Sequence, residues 1–465
     1  MRKKVPFSVF LLLICLSLLF QETSFRVVKA EQNAEDIWGE RAERAQDSLQ
    51  ANFWNKDISM FNNKYPNEND DGFNYWWQAH AIDVLVDAYE RTGEQKYIDR
   101  ADSLYSGVVE RNGGITNHFY DDMLWMALAM FRLYEHTNDD THKNAVFTLW
   151  EDIKTGWRDD LGGGIAWNKD SDFLNTPSNA PAIILAARLY QEYGNEGDLE
   201  WAKKIYEWQT STLVDPETGI VYDGIEGDDF HSEEYTYNQG TYVGANIELF
   251  RITKDQEYLQ SAVRTTETTI ERFTDENQII HERGGGDGGL FNGILIRYLS
   301  DLALEDPTQE SIAQLILHNA ESAWQLAESE DEILFGASWK NPPNYPVDLS
   351  QNLSGVMLME QASILDRTFS EPSLEDLFDR VEQLANGDEM TDPQAVRTLK
   401  VHLRSIEHFE KKKAFGKMEK HLDGFNILLD QQKELEVISA KAHRELRIAT
   451  NRLIEHLAEE KGTKF

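Results

Sequence analysis

Cysteine is almost absent from this chain of 465 residues, which has one, Cys15. It lies in an apolar run from Val5 to Phe20 that follows Arg2, Lys3 and Lys4 and precedes Val28-Lys29-Ala30, with small residues at the −3 and −1 positions of a cleavage site. The run is shorter than the roughly 20 residues a spanning helix needs, so it reads as a secretory signal removed after Ala30 rather than as an anchor. Ile14 stands where a lipoprotein site would need a small residue. The mature chain is then expected to have no thiol. That excludes disulfides, thiolate catalysis and Cys-ligated zinc, and it fits extracellular export of the Gram-positive type. Bases are scarce too, 45 against 82 acids, for a formal charge of −37. A phosphate backbone is held by clustered Lys and Arg, so the acidity disfavours nucleic acid, and no nucleic-acid partner is expected. A hydrophobic share of 41% with 27% charged residues excludes global disorder and a multi-span membrane protein.

What is present divides unevenly. Residues 371–465 hold 19 acids and 16 bases, whereas all 12 Trp and most of the acidic excess precede residue 371. Two domains are implied, residues 31–370 and 371–465, joined at the polar stretch Ser370-Glu371-Pro372-Ser373.

The first domain repeats. Similar short turns recur at Glu90-Arg91-Thr92-Gly93, Glu135-His136-Thr137-Asn138, Glu192-Tyr193-Gly194-Asn195 and Arg251-Ile252-Thr253-Lys254, each closing one amphipathic helix and opening another. The helices before these turns are expected to start near Asn74, Tyr120, Ser178, Tyr237, Gly288 and Leu349. They are rich in small and apolar residues on nearly all faces, while their partners carry charge on one face. An all-α (α/α) barrel of six hairpins, twelve helices, follows, with an open superhelix of helical pairs as the structural alternative. In such a barrel, long loops deliver side chains over the N-termini of the inner helices.

Candidate chemistry concentrates at one of those starts. In His118-Phe119-Tyr120-Asp121-Asp122 two adjacent carboxylates stand where free backbone N–H groups and the helix dipole stabilise negative charge. Ionising both is costly, so one stays an anion fit for nucleophilic attack and the other keeps a proton for a leaving sugar oxygen. Side chains of one turn can come about 5 Å apart, the separation associated with retaining glycosidases. The bland reading of such a pair is an N-cap with a first-turn acid. The surroundings favour chemistry: Trp76, Trp77, Trp125, Trp167 with Asn168, Tyr237 with Asn238 and Gln239, and Trp339 all fall at or before inner-helix starts, where rings stack on sugar faces and amides bind hydroxyls. Asp228, Asp229 and Asp287 are read as further hydroxyl binders, with loop calcium or plain solvated charge as alternatives. His80, His118 and His231 lack metal-ligand spacing, and no metal or cofactor is expected.

The runs Phe119-Tyr120-Asp121-Asp122-Met123-Leu124-Trp125, Gly162-Gly163-Gly164-Ile165, Asn175-Thr176-Pro177-Ser178-Asn179-Ala180, Tyr237-Asn238-Gln239-Gly240 and Phe291-Asn292-Gly293-Ile294-Leu295-Ile296-Arg297-Tyr298 closely resemble glycoside hydrolase family 76, in the same order. The resemblance implies an (α/α) barrel and retaining endo-α-1,6-mannanase activity on mannan-type chains, with Asp121 as nucleophile and Asp122 as acid/base. Asn292 departs from the Lys expected in many relatives. The tail, through Ile406-Glu407-His408-Phe409, Lys420-His421-Leu422-Asp423-Gly424-Phe425 and Ile438-Ser439-Ala440-Lys441-Ala442, resembles the FIMAH module, a small three-helix unit appended to exported Bacillus-type enzymes. Its Lys411-Lys412-Lys413 reads as a solvated turn or a cell-wall contact. A monomer is expected. A non-catalytic glycan-binding surface protein on the same barrel, or an inverting glycosidase or lyase, remains the competing reading, since fold does not fix chemistry.

Overall fold

The computed structural model describes residues 36–67, 72–329, 332–369, 373–387 and 389–462. The signal segment, Cys15, Asp70, Asp71 and residues 370–372 of the joint lie outside the described residues.

Twelve helices make the barrel. In chain order they are α1 (Ile37–Phe53), α2 (Tyr75–Thr92), α3 (Gln95–Asn112), α4 (Tyr120–Thr137), α5 (Asp140–Lys154), α6 (Thr176–Tyr193), α7 (Glu196–Leu213), α8 (Thr236–Thr253), α9 (Gln256–Phe273), α10 (Gly288–Glu305), α11 (Glu310–Ala327) and α12 (Leu349–Phe369). The even-numbered six pack side by side in a closed inner ring, α2–α4–α6–α8–α10–α12–α2, and the odd-numbered six lie outside them. Every inner start falls within two residues of its expected place. The sixth outer helix comes from the beginning of the chain: α1 packs on α12 and closes the circle.

The turn chemistry explains the repeat. Gly93, Asn138, Gly194 and Lys254 end α2, α4, α6 and α8 in the left-handed conformation, each returning its N–H to the last helical turn. The next residue at three of these turns, Asp139, Asn195 or Asp255, caps the outer helix with its own side chain. One residue stops a helix and its neighbour starts the next.

The inner ring is less apolar than its sequence implies. Its half nearest the short turns carries a buried ionic network. Arg297 forks onto Asp87 at 2.8 and 2.6 Å and reaches Asp83 at 3.0 Å, while Arg132 spans Asp83, Asp87 and Glu90. Arg188 and Arg251 both hold Glu248. Charges in this setting persist because each is paired and hydrogen-bonded.

The tail holds four helices where three are expected: α13 (Leu374–Asn386), α14 (Pro393–Glu410), α15 (Phe415–Glu434) and α16 (Ala440–Gly462). The extra one, α13, opens with a capping box at Ser373 and Asp376. These helices share their own apolar core around Leu399, Leu403, Leu422, Phe425 and Leu446. The first turn of α16 nevertheless reaches the barrel, where Lys441 pairs with Glu90 at 2.7 Å.

Candidate active site

The chain enters α4 extended at Phe119, with no side-chain cap, so the first-turn N–H groups are left for other partners. Phe119 bridges Asn168, and the Tyr120 N–H donates to the Trp167 carbonyl at 2.9 Å, which lays the loop before α6 across the start of α4. Asp121 and Asp122 are the second and third residues of the helix. The indole N–H of Trp167 donates to Asp121 Oδ2 at 3.1 Å, and the Asp122 N–H donates to Asp121 Oδ1 at 3.0 Å. Asp122 Oδ2 accepts from the Asn117 side chain at 3.1 Å.

Burial pushes the Asp121 carboxyl up to about 7, with the Asp287 charge adding to it, although the Asp122 N–H and the Trp167 indole pull it down. Asp122 is raised well above the ordinary carboxyl value by burial and then by the charges of Asp121 and Asp287. Asp121 thus has two donors, the Asp122 N–H and the Trp167 indole, against the single Asn117 amide on Asp122, which favours the anion on Asp121. One proton shared by the pair settles on Asp122.

The aromatic residues separate into two sets. Trp76, Trp125 and Tyr237 form a row beside the pair, with ring centroids 6.3 Å apart between Trp76 and Trp125 and 6.5 Å between Trp125 and Tyr237. Tyr237 stacks on Phe291 at 4.0 Å. Trp167 is 38% exposed and touches the pair through Asp121. Trp77 and Trp339 instead are 4% and 3% exposed and pack in the core. Trp77 acts on the site indirectly: its indole and that of Trp76 both donate to Asp287 Oδ1, at 3.0 and 3.1 Å. Asp287 is thus a third carboxylate tied to the tryptophan wall.

Other expected binders are committed elsewhere. Asn168 uses its side-chain oxygen in a tight turn with the Asp170 N–H. Gln239 is fully buried, donating to the Val221 and Tyr235 carbonyls and accepting from the Val221 N–H. Asp228 and Asp229 sit on the exposed tip of the hairpin formed by strands Gly224–Glu226 and Asp229–His231. The acid of this segment that faces inward is Asp223, which sequence reasoning missed. It accepts from Asn238 at 3.0 Å, burial raises its pKa, and its charge bears on the buried hydroxyl of Tyr237. Asn117 was missed as well. Its signal was an Asx turn, the side chain accepting from the Phe119 N–H just ahead of the helix. Among the described residues no group of three or more His, Cys, Asp or Glu is arranged to hold a metal ion.

Several motif residues are clamps rather than ligands. The fourth residue of α2, α6, α8 and α12 is a buried amide, Gln78, Asn179, Gln239 and Asn352, and each pins a backbone N–H of the preceding loop, at Phe61, Ile165, Val221 and Phe335. Asn292 plays a related part, accepting from Thr236 and donating to the His281 carbonyl. In the Gly162–Gly164 run, Gly163 and Gly164 have φ of 116° and 90°, and a Cβ on either would lie 2.7 or 2.5 Å from the Trp208 ring. Only glycine lets this loop fold down beside the cleft.

The sequence profile of Glycosyl hydrolase family 76 matches residues 37–373. The chain belongs to that family. A profile of the FIMAH domain matches residues 374–455. Within family 76, the chain is similar to the GH76A α-1,6-mannanase from Salegentibacter sp. HEL1_6, at 41% identity and a TM-score of 0.68, over 70% of this chain and 99% of that one. The Lin0763 protein from Listeria innocua is similar at 40% identity and a TM-score of 0.68, over 71% and 97%. Mannan endo-1,6-alpha-mannosidase DCW1 of Saccharomyces cerevisiae is 26% identical over 238 residues, 44% of this chain and 50% of that protein. The chain thus spans about half the length of this yeast relative.

Proposed function

We propose that the protein is an exported, retaining, endo-acting hydrolase of α-1,6-mannosidic linkages in mannan. The observation that carries the reading is the Asp121–Asp122 pair at the open end of α4, with the anion favoured on Asp121 and the proton on Asp122. An inactive Salegentibacter variant with two consecutive aspartates replaced is in complex with α-1,6-mannotriose, which supports an adjacent aspartate pair as the reactive centre here.

In the first step Asp121 attacks the anomeric carbon while Asp122 gives its proton to the departing glycosidic oxygen, so the C–O bond breaks as the glycosyl ester forms. Asp122, now an anion, takes a proton from water, whose oxygen attacks the anomeric carbon, breaking its bond to the Asp121 oxygen and freeing the carboxylate. Trp167 steadies the Asp121 carboxylate before and after attack. In this reading Trp76, Trp125 and Tyr237 supply stacking faces along the chain, and Asp223 and Asp287 are the acids assigned to its hydroxyls. Export rests on the N-terminal pattern of Arg2 to Ala30. The test is incubation with α-1,6-mannan and a panel of other glycans, with product sizing. Short oligosaccharides should appear early with little free mannose, and absence of cleavage by folded protein between about pH 4 and 8 would end the proposal.

A further inference from the structure

The inner helices end together at the floor of the barrel, opposite the cleft, and helix C-termini carry partial negative charge. The floor adds Glu90 near the end of α2 and Glu305 at the end of α10. Above it, a cavity of about 550 Å³ is lined inside the ring as far as Trp125 and His80. Its lower wall is built by the tail: Gly387, Glu389 and the stretch from Ser439 to Lys441, with Arg444 and Glu445.

Lys441 is the cation at the centre of this contact. Its ammonium lies 2.7 Å from Glu90 and 3.3 Å from Glu389. Arg444 stands 3.9 Å from Glu305, which also holds Arg251 at 2.8 Å. Around this centre, Arg452 donates to the Thr368 and Phe369 carbonyls at the end of α12, and Arg380 reaches Thr368 at 3.3 Å and Glu445 at 3.3 Å. The first turn of α16, positive by its own dipole, meets the ring where Lys441 pairs with Glu90 near the end of α2. Burial alone would favour a neutral Glu90, yet Lys441 and Arg132 hold it well below the ordinary carboxyl value.

We infer that the C-terminal module is an internal stopper for the barrel floor, with Lys441 as the charge that couples the stability of the two units. The Salegentibacter enzyme, matched over 99% of its length within 70% of this chain, shows that a family 76 barrel need not carry such a module. Here the dependence is built by placing Glu90 where one of its compensating cations, Lys441, comes from the tail, beside Arg132 of the barrel. The sequence, with its polar joint, implies two units, and the floor contact ties them together through Lys441.

The test is a double-mutant cycle in the full chain, read by calorimetric unfolding and by hydrogen exchange of α16 amides. Lys441→Met leaves Glu90 and Glu389 short of a cation and should lower the melting temperature by roughly 5 °C, or split one transition into two, with faster exchange in the first turns of α16. Glu90→Gln in the Lys441→Met background should recover most of that loss. Unchanged unfolding and exchange in Lys441→Met, or a second substitution that adds to the loss without relieving it, would overturn the inference. Neither readout depends on the reaction at the cleft.

Discussion

The Trp167 indole N–H donates to Asp121 Oδ2 at 3.1 Å, tying the most exposed tryptophan of the cleft to the carboxylate read as the nucleophile. The contact is long-range in sequence, and it depends on the Gly162–Gly164 loop folding against Trp208. It also breaks the near-symmetry of two adjacent aspartates.

That asymmetry predicts different sensitivities. Asp122→Ala should cost about 10²- to 10⁴-fold in kcat on mannan, with much of the loss recovered on substrates whose leaving group needs no proton. Asp121→Ala should recover nothing on such substrates. Steady-state kinetics on mannan and an activated aryl glycoside read both. Equal recovery in the two variants would remove the assigned roles.

The pH profile follows from the same geometry. The productive form has Asp121 ionised and Asp122 protonated, so kcat/KM should fall below about pH 7 as Asp121 takes up a proton, and fall again at high pH as Asp122 loses its own. Trp167→Phe removes a donor that favours the anion, so the acid limb should move to higher pH. Asp287→Asn removes a charge that raises both groups, so both limbs should move to lower pH. A Trp167→Phe limb that stays in place or moves down would contradict the role given to this bond.

Buried amides and hairpin-tip acids make opposite predictions. Asn179→Ala leaves the Ile165 N–H and C=O without partners and should cost about 2–4 kcal/mol of stability in denaturant unfolding. Asp228→Ala and Asp229→Ala change an exposed tip and should stay within about 0.5 kcal/mol of the parent, with activity near the parent value. Loss of activity in the tip variants with unchanged stability would restore them as substrate ligands.

Much of this was legible in the chain because helical periodicity and turn chemistry are local. The left-handed caps at Gly93, Asn138 and Gly194 showed in the repeated turns, and the inner-helix starts followed from them. The Asp121–Asp122 pair was legible because a helix start has a defined electrostatic meaning. What was not legible depends on distant contacts. Gln239 and Trp77 look like ligands in a one-dimensional string, since amides and indoles serve clamps and clefts equally well. Asp223 was overlooked beside Asp228 and Asp229 because only the pairing of Gly224–Glu226 with Asp229–His231 decides which acids of that hairpin turn inward. The ionic floor was hidden because Asp87 and Glu90, Arg132 and Lys441 sit on three helices that meet only in the folded chain.

The most direct test of the central claim is the anomeric configuration of the first product released from an α-1,6-mannooligosaccharide, followed by ¹H NMR before mutarotation. A double displacement through Asp121 predicts that the new reducing end appears as the α anomer. A β anomer formed first would contradict a covalent intermediate on Asp121 and require a water-activating base farther from Asp122.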